Sequence, residues 1–433
     1  MGGPLAVMTA AVMAAAGAVC AVIGRRTGPG AGNRGTLPHA EAYERIRPVM
    51  PAGSRVKLIV AADIHYISPR LNDGGELFLR TVGNGDGKLT DLSPEVADAF
   101  LELTAAGRPD ALVICGDLTF NGAKASLEDM CGKLKALTEK GIPVLVIPGN
   151  HDINYPIAYA FSGAEAARVE NIREGTFRAM CAGFGYGEAA SRDPASFSYI
   201  YPVSEDLSLL FLDANTEKAP GELLPETLKW AERVLKDAGR RGVRVISVTH
   251  QNVVPQNKVF QDGFVVKNRE KTTGLLRKYG VRMNLSGHAH LMHSAEEAGL
   301  LDHCTGCLTL SPLMFAEVLY EPSVRAGGDP GGGAGPGGDP ALSYTPRHLS
   351  VFQEEAKRRY EETAYQQVLS AMSGVRADEK TRGNMADFAV RFNEAYFNGT
   401  LDMEAMKKDP GWQLWERYGS SSFYFAYMKT AGQ

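Results

Sequence analysis

Apolar runs recur along the chain, and several of them stop abruptly at polar residues. Val56–Ala62 reads VKLIVAA, a nearly continuous apolar stretch that suits a strand buried on both faces. Ala111–Cys115, Pro143–Ile147, Leu207–Leu212, Val243–Val248 and Val281–Leu285 have the same character. Between them the period changes from strand to helix. Pro94–Ala106 carries apolar residues at helical spacing after Ser93, Ser126–Lys140 ends at Gly141, Pro225–Ala238 closes at Gly239, and Thr272–Tyr279 ends at Gly280. This alternation predicts an α/β domain with a largely parallel sheet.

The texture changes past Tyr320. Ala326–Pro340 is dominated by Gly, Pro and Asp and has too little apolar surface to pack. Helical spacing returns over Ser350–Met372, Thr381–Phe397 and Asp402–Tyr418, with mixed charges and many aromatic residues that suit a core. At the other end, Pro4–Gly24 is apolar throughout and stops at Arg25-Arg26. About twenty such residues suffice to cross a bilayer. Ala16-Gly17-Ala18 resembles a small-residue cleavage site, which favours an export signal, with a membrane anchor as the alternative. The expected organisation is therefore a signal or anchor over 1–24, a linker over 25–54, an α/β domain over 55–320, a Gly/Pro-rich linker or loop over 321–347 and a helical domain over 348–433. The expected location is outside the cytoplasm, secreted or held at a membrane through the N-terminal segment.

Composition narrows the picture only slightly. A chain of 433 residues is long enough for two domains. A net charge of −4 offers no basic surface for nucleic acid. Six cysteines are too few for a disulfide-built scaffold, and Cys304-Thr305-Gly306-Cys307 lacks the second pair a zinc knuckle needs. That CxxC reads as a small disulfide or as two packed thiols, ahead of a redox pair. Asn84–Glu95 hints at a calcium loop but places Lys88 and Leu89 at its fifth and sixth positions, where a ligand and a glycine belong.

The chemistry lies where the apolar runs end. Five polar clusters follow strands in order: Asp63-Ile64-His65, Gly116-Asp117, Gly149-Asn150-His151-Asp152, Thr249-His250 and Gly287-His288-Ala289-His290. In open α/β sheets, ligands bind beyond the carboxyl ends of strands, so one sheet edge can gather all five. A centre of two metals needs a ligand that touches both, and a carboxylate such as Asp117 does this well. Asp63 and His65 are spaced to meet one ion, as are His288 and His290, and Gly287 permits a close backbone approach. Mixed nitrogen and oxygen ligands suit Mn, Fe, Zn or Co better than Ca or Mg. No cysteine joins the set, which argues against a structural zinc site.

The order D-x-H, GD, GNHD, H, GHxH over residues 55 to 320 resembles the calcineurin-like metallophosphoesterase superfamily. Its GHxH ending is similar to the bacterial branch that acts on cyclic nucleotides and glycerophosphodiesters. The resemblance implies a sheet sandwich flanked by helices and two divalent metal ions. It implies that Asp63, His65 and His290 bind one ion, that Asn150, His250 and His288 bind the other, and that Asp117 bridges them. The ions would clamp a phosphoryl oxygen and lower the pKa of a bridging water for in-line attack. His151 would face the leaving group, with Asp152 orienting it or simply forming the turn. Asn121 is a candidate phosphate contact or loop cap, and His293 is more at home on the surface. The expected activity is hydrolysis of a small phosphoric ester, most readily a diester. A phosphomonoesterase or nucleotidase is the alternative within the class, and a non-catalytic metal-binding interaction protein the alternative outside it.

Overall fold

The computed structural model describes residues 45–83, 85–259, 261–322 and 341–431. The apolar segment 4–24 and the Gly/Pro-rich stretch 326–340 lie outside these residues, and so do the expectations attached to them. Among the described residues no helix is long and apolar enough to cross a membrane.

Two sheets form the centre. The first has five strands. Val56–Ala61 runs parallel to Ala111–Ile114, which runs parallel to Val144–Val146. On its other side Val56–Ala61 pairs antiparallel with Met314–Glu321, and Ala341–His348 closes that edge. The second has seven strands. Leu207–Phe211, Arg244–Val248, Met283–Ser286 and Leu300–Cys304 are mutually parallel neighbours, flanked by antiparallel strands at both ends. The parallel strands in the middle are the apolar runs of the sequence, and most of their residues are buried. Both sheets are mixed, because their edges are antiparallel; the largely parallel single sheet expected from the sequence describes only their centres.

Three boundaries differ from expectation. Residues 45–54 were expected in a linker, yet they lie on the fold. The Arg45 guanidinium donates to the carbonyls of Pro202 (3.2 Å) and Glu188 (2.9 Å), and Met50 bridges to Ser204. Residues 341–347, also expected in a linker, belong to the strand Ala341–His348. Pro346 is tolerated there because the strand is an edge, with its outer side free of ladder bonds. Asp402–Tyr418 is two helices, Met403–Lys408 and Pro410–Tyr418. Asp409 caps the second by accepting from Gly411 N at 2.7 Å, and Pro410 supplies a first turn that needs no N–H.

The C-terminal helices Gln353–Ala371, Glu379–Phe397, Pro410–Tyr418 and Phe423–Thr430 enclose an aromatic core of Phe388, Phe392, Tyr396, Trp412, Trp415, Tyr424, Phe425 and Tyr427. Leu291 and Cys304 of the sheet domain belong to the same cluster. The helices therefore sit directly against the turn that carries His288 and His290. Phe397 O accepts from Met292 N at 2.8 Å, and Tyr396 donates to Gln256 O at 2.9 Å.

Candidate metal centre

All five polar clusters meet between the carboxyl ends of the two sheets. The turns after Val56–Ala61 and Ala111–Ile114 are laced together: Gly116 O accepts from Asp63 N (3.1 Å) and Asp117 O from His65 N (3.0 Å). His250 O accepts from Gly287 N at 3.0 Å, which joins the turns of the second sheet. The two sets touch at Gly287, where an added Cβ would lie 2.5 Å from Ala62 Cβ and 2.7 Å from Asp63 Oδ2. Only glycine permits that approach.

Asp63, His65, Asp117, His288 and His290 all have positive φ, between 48° and 68°. Left-handed backbone is unfavourable for such residues, and clusters of it mark functional sites where surrounding structure sustains the strain. Here the turn-to-turn hydrogen bonds sustain it, and the result is that the side chains point into one space.

The donor atoms in that space form two groups with Asp117 between them. On one side Nε2 of His65 and Nε2 of His290 are 3.2 Å apart, and Asp63 Oδ1 lies 3.9 Å and 3.5 Å from them. On the other side Nε2 of His250 lies 2.9 Å from Asn150 Oδ1. Asp117 offers Oδ2 to His65 Nε2 at 3.9 Å and Oδ1 to His250 Nε2 at 3.4 Å. The ring of His288 stands 5.0 Å from that of His250, and its Nε2 is held by Gly263 O at 2.7 Å, which leaves Nδ1 as its free ring nitrogen. His250 is fixed in the opposite sense, with Nδ1 on Cys115 O at 2.8 Å. Carbonyls placed behind imidazoles in this way set the tautomer of a metal ligand.

The charge balance of the site calls for a cation. Asp63 Oδ1 and His65 Nδ1 are buried without a hydrogen-bond partner. Burial opposes ionisation of Asp117, but His250 and His151 outweigh it and hold its carboxyl well below the usual carboxylate range. Burial likewise works against a charged His250, yet Asp117 lifts it to about 9. Burial and the neighbouring His250 push His288 down to about 4, and burial with Lys88 lowers His65 well below its ordinary value. The carboxylates thus demand positive charge, which a proton on His250 supplies and a divalent ion would supply better. Three sets of ligand atoms lie within 4.8 Å of one another: Asp63, Asp117 and His250; His65, Asp117 and His151; His65, His290 and Cys307. The residues present fit a two-metal centre.

The remaining candidates separate clearly. The ring of His151 lies 4.7 Å from that of His65 and stacks on Tyr155 at 4.3 Å. Its Nδ1 bonds Phe120 O at 2.7 Å, so Nε2 is the atom available to a substrate. Asp152 does not orient this ring. Its carboxylate accepts from Leu118 N (3.1 Å), Thr119 N (2.8 Å), Thr119 Oγ1 (2.9 Å) and Gly149 N (2.9 Å). It ties the Asp117 turn to the Asn150 turn, and orientation of His151 falls to the Phe120 carbonyl. Burial, with Asp117 nearby, raises Asp152 to about 7. Asn121 is fully buried and donates to Tyr159 O at 3.0 Å, as an anchor for its loop. His293 is bound to Gln256 Oε1 at 2.9 Å, on a strand beyond the site. Cys304 and Cys307 are separate buried thiols that donate to Gly287 O (3.2 Å) and Asp63 O (3.1 Å), bracing two ligand turns.

Sequence reasoning passed over Asp86 and Lys88, a buried ion pair against the His290 side of the site. Two charges in a Gly-rich stretch were the available signal, and the calcium-loop spacing drew attention elsewhere.

Residues 56–292 match the family model of the calcineurin-like phosphoesterases. The chain belongs to that family. Its members use a dinuclear metal centre, in keeping with the two donor groups described above. Residues 341–433 match a second model, the C-terminal domain of cyclic nucleotide phosphodiesterase. No curated protein matches the chain. Among solved structures, a dimetal phosphatase from Danio rerio is similar at 15% identity and a TM-score of 0.46, over 61% of this chain and 94% of that one. A purple acid phosphatase from yellow lupin seeds is similar at 13% identity and a TM-score of 0.38, over 63% and 50%. A 5'-nucleotidase assignment from Staphylococcus aureus is similar at 12% identity and a TM-score of 0.38, over 73% and 59%. Identities this low do not carry an activity across.

Proposed function

We propose that this phosphoesterase hydrolyses phosphodiesters, with Asp63, His65 and His290 holding one divalent ion, Asn150, His250 and His288 the other, and Asp117 between them. One observation carries the reading: Asp117 presents its two oxygens to two separate donor groups, and His151 stands beside them with its outer nitrogen uncommitted. A protein that only binds metal has no use for that histidine.

The bound ions would supply Lewis acidity toward phosphoryl oxygens and an activated water nucleophile. The chain's own residues do the rest. Left-handed turns fix the ligand directions before substrate arrives, so little reorganisation is needed. Nδ1–H of His151 is committed to Phe120 O, which turns Nε2 outward; a ring protonated at Nε2 as well would serve the departing oxygen as proton donor or charge stabiliser. Tyr155, stacked on the ring, keeps it from turning away.

The preference for diesters is supported by the match of residues 341–433 and by the seating of those helices against the His288–His290 turn. Cyclic nucleotides are the first natural diesters to try. The test compares bis(p-nitrophenyl) phosphate, p-nitrophenyl phosphate and cyclic nucleotides with added Mn. Faster turnover of diesters is expected. A clear preference for the monoester would replace the diester reading with a monoesterase one, and no turnover of any substrate by metal-loaded protein would leave a metal-binding protein.

A further inference from the structure

Asp86 and Lys88 are 8% and 5% exposed, and neither belongs to the five ligand clusters. Burying two charges is costly, and a buried pair is poor grounds for expecting a more stable fold, so its place at the site needs a different reason. Lys88 Nζ lies 2.9 Å from Asp86 Oδ2. That oxygen has no hydrogen-bond partner and faces Nδ1 of His290 at 3.8 Å. The Nε2 of His290 points the other way, toward His65 Nε2 and Asp63 Oδ1.

Two of the other imidazoles, His250 and His288, show what is missing; Nδ1 of His65 has no partner. His250 has Cys115 O behind it and His288 has Gly263 O behind it. Among the described residues no such carbonyl stands behind His290; the group behind it is Asp86. We propose that Asp86 is a positioning residue of the metal centre: its carboxylate takes the Nδ1–H of His290, which keeps the Nε2 lone pair on the ion that Asp63 and His65 share. The inference rests on the metal-centre reading above. Closing the gap from 3.8 Å needs only a small shift of either side chain. Lys88 holds the carboxylate at that place.

The backbone around Asp86 is built to hold still. Leu89 N donates to Thr309 O at 2.8 Å. Gly87 is pressed against the helix Gln353–Ala371, where an added Cβ would lie 3.0 Å from Tyr360 Cα. Arg359 of that helix grips both oxygens of Asp91, at 2.5 Å and 3.0 Å. The C-terminal helices thus reach the metal centre through this segment.

The test is metal binding by the full chain, read by calorimetric titration with Mn or Zn and by metal content after gel filtration. Asp86→Leu is expected to weaken one of two sites by about 10–100-fold, the usual cost of losing such a partner. Asp86→Asn keeps an oxygen acceptor and should recover most of the affinity. Arg359→Ala, remote from the ligands, should give a smaller loss at the same site. Two sites of unchanged affinity in Asp86→Leu would overturn the inference. So would equal losses in Asp86→Leu and Asp86→Asn, which would mark a need for the carboxylate charge or for packing. Wild-type protein that binds no ion would instead defeat the metal-centre reading itself.

Discussion

Nε2 of His65 and Nε2 of His290 face each other at 3.2 Å, although 225 residues separate them in sequence. Two ring nitrogens about 2.1 Å from one tetrahedral or octahedral ion would stand about 3.0–3.4 Å apart. The pair is therefore already spaced for a shared cation. Metal should raise the melting temperature and a chelator should lower it. At a hundredfold excess over Kd, each ion adds about 2.7 kcal/mol. Differential scanning fluorimetry with EDTA, then with Mn, Zn, Fe(II) or Co added back, measures this. A melting temperature indifferent to all of them would contradict the spacing argument.

Asp117 offers one oxygen to each donor group. Asp117→Asn should cost both ions and not one, because the neutral amide offers one good oxygen in place of two charged ones. Activity should fall by at least about a hundredfold. Metal analysis of the purified variant checks the first point, and retention of two ions per chain would rule out the bridging role.

In the proposed mechanism His151 serves the leaving group and holds neither ion. His151→Ala should bind two ions and fold normally while losing about 10²–10⁴ in kcat, the range of general acid catalysis. The loss should grow as the leaving alcohol becomes more basic, since a poor leaving group needs the proton more. An equal loss for nitrophenyl and alkyl esters would point away from a leaving-group role.

Asp152 gives a contrasting expectation. Asp152→Ala strands buried N–H donors of Leu118, Thr119 and Gly149. Unsatisfied donors of this kind cost about 1–3 kcal/mol apiece before relaxation, so a drop of about 3 kcal/mol is expected. Denaturant titration measures it. The dependence on leaving group should stay that of the wild type, because the carboxylate never meets the His151 ring.

His303, away from the ligands, carries a pH effect. Burial lowers it to about 4, against about 6.5 in the unfolded chain. The unfolded state therefore binds more protons between those values. The neutral ring's full contribution is present above about pH 6.5 and is lost as pH falls toward 4, to the extent of about 3 kcal/mol at most. His303→Gln should flatten part of the acid limb of a stability-versus-pH curve. An unchanged limb would place the loss on other groups, the ligand histidines first.

Much of this architecture was legible because buried parallel strands need continuous apolar runs. Val56–Ala61, Ala111–Ile114 and Leu207–Phe211 stand within a residue of their expected limits, and the ligand residues follow such strands as the sheet rule requires. Edge strands were hidden for the opposite reason. His293–Glu297 and Ala341–His348 are largely exposed or half-buried, so no apolar run marks them. The left-handed turns were hidden too, since nothing in Asp63 or His288 as residues asks for positive φ; the hydrogen bonds that impose it come from distant turns. The sequence leaves Asp152 open between orienting His151 and forming the turn, because adjacency in sequence does not tell where a side chain points; its carboxylate ties turns together instead. Asp86 could not be placed, because its meaning depends on His290, far along the chain.

The aromatic cluster of the C-terminal helices has a consequence for how the molecule can be divided. Two family models cover it, one ending at 292 and the other starting at 341, and the obvious plan for a minimal enzyme is to cut in the gap. Yet Leu291 and Cys304 belong to the same buried cluster as Trp415 and Tyr427, and Arg359 and Tyr360 press on the segment behind His290. A chain ending near 322 would keep every ligand and open the Leu291 and Cys304 side of that cluster to water. A cut between the two matched regions therefore divides one buried cluster, and truncation is expected to give aggregates before it gives a smaller catalyst.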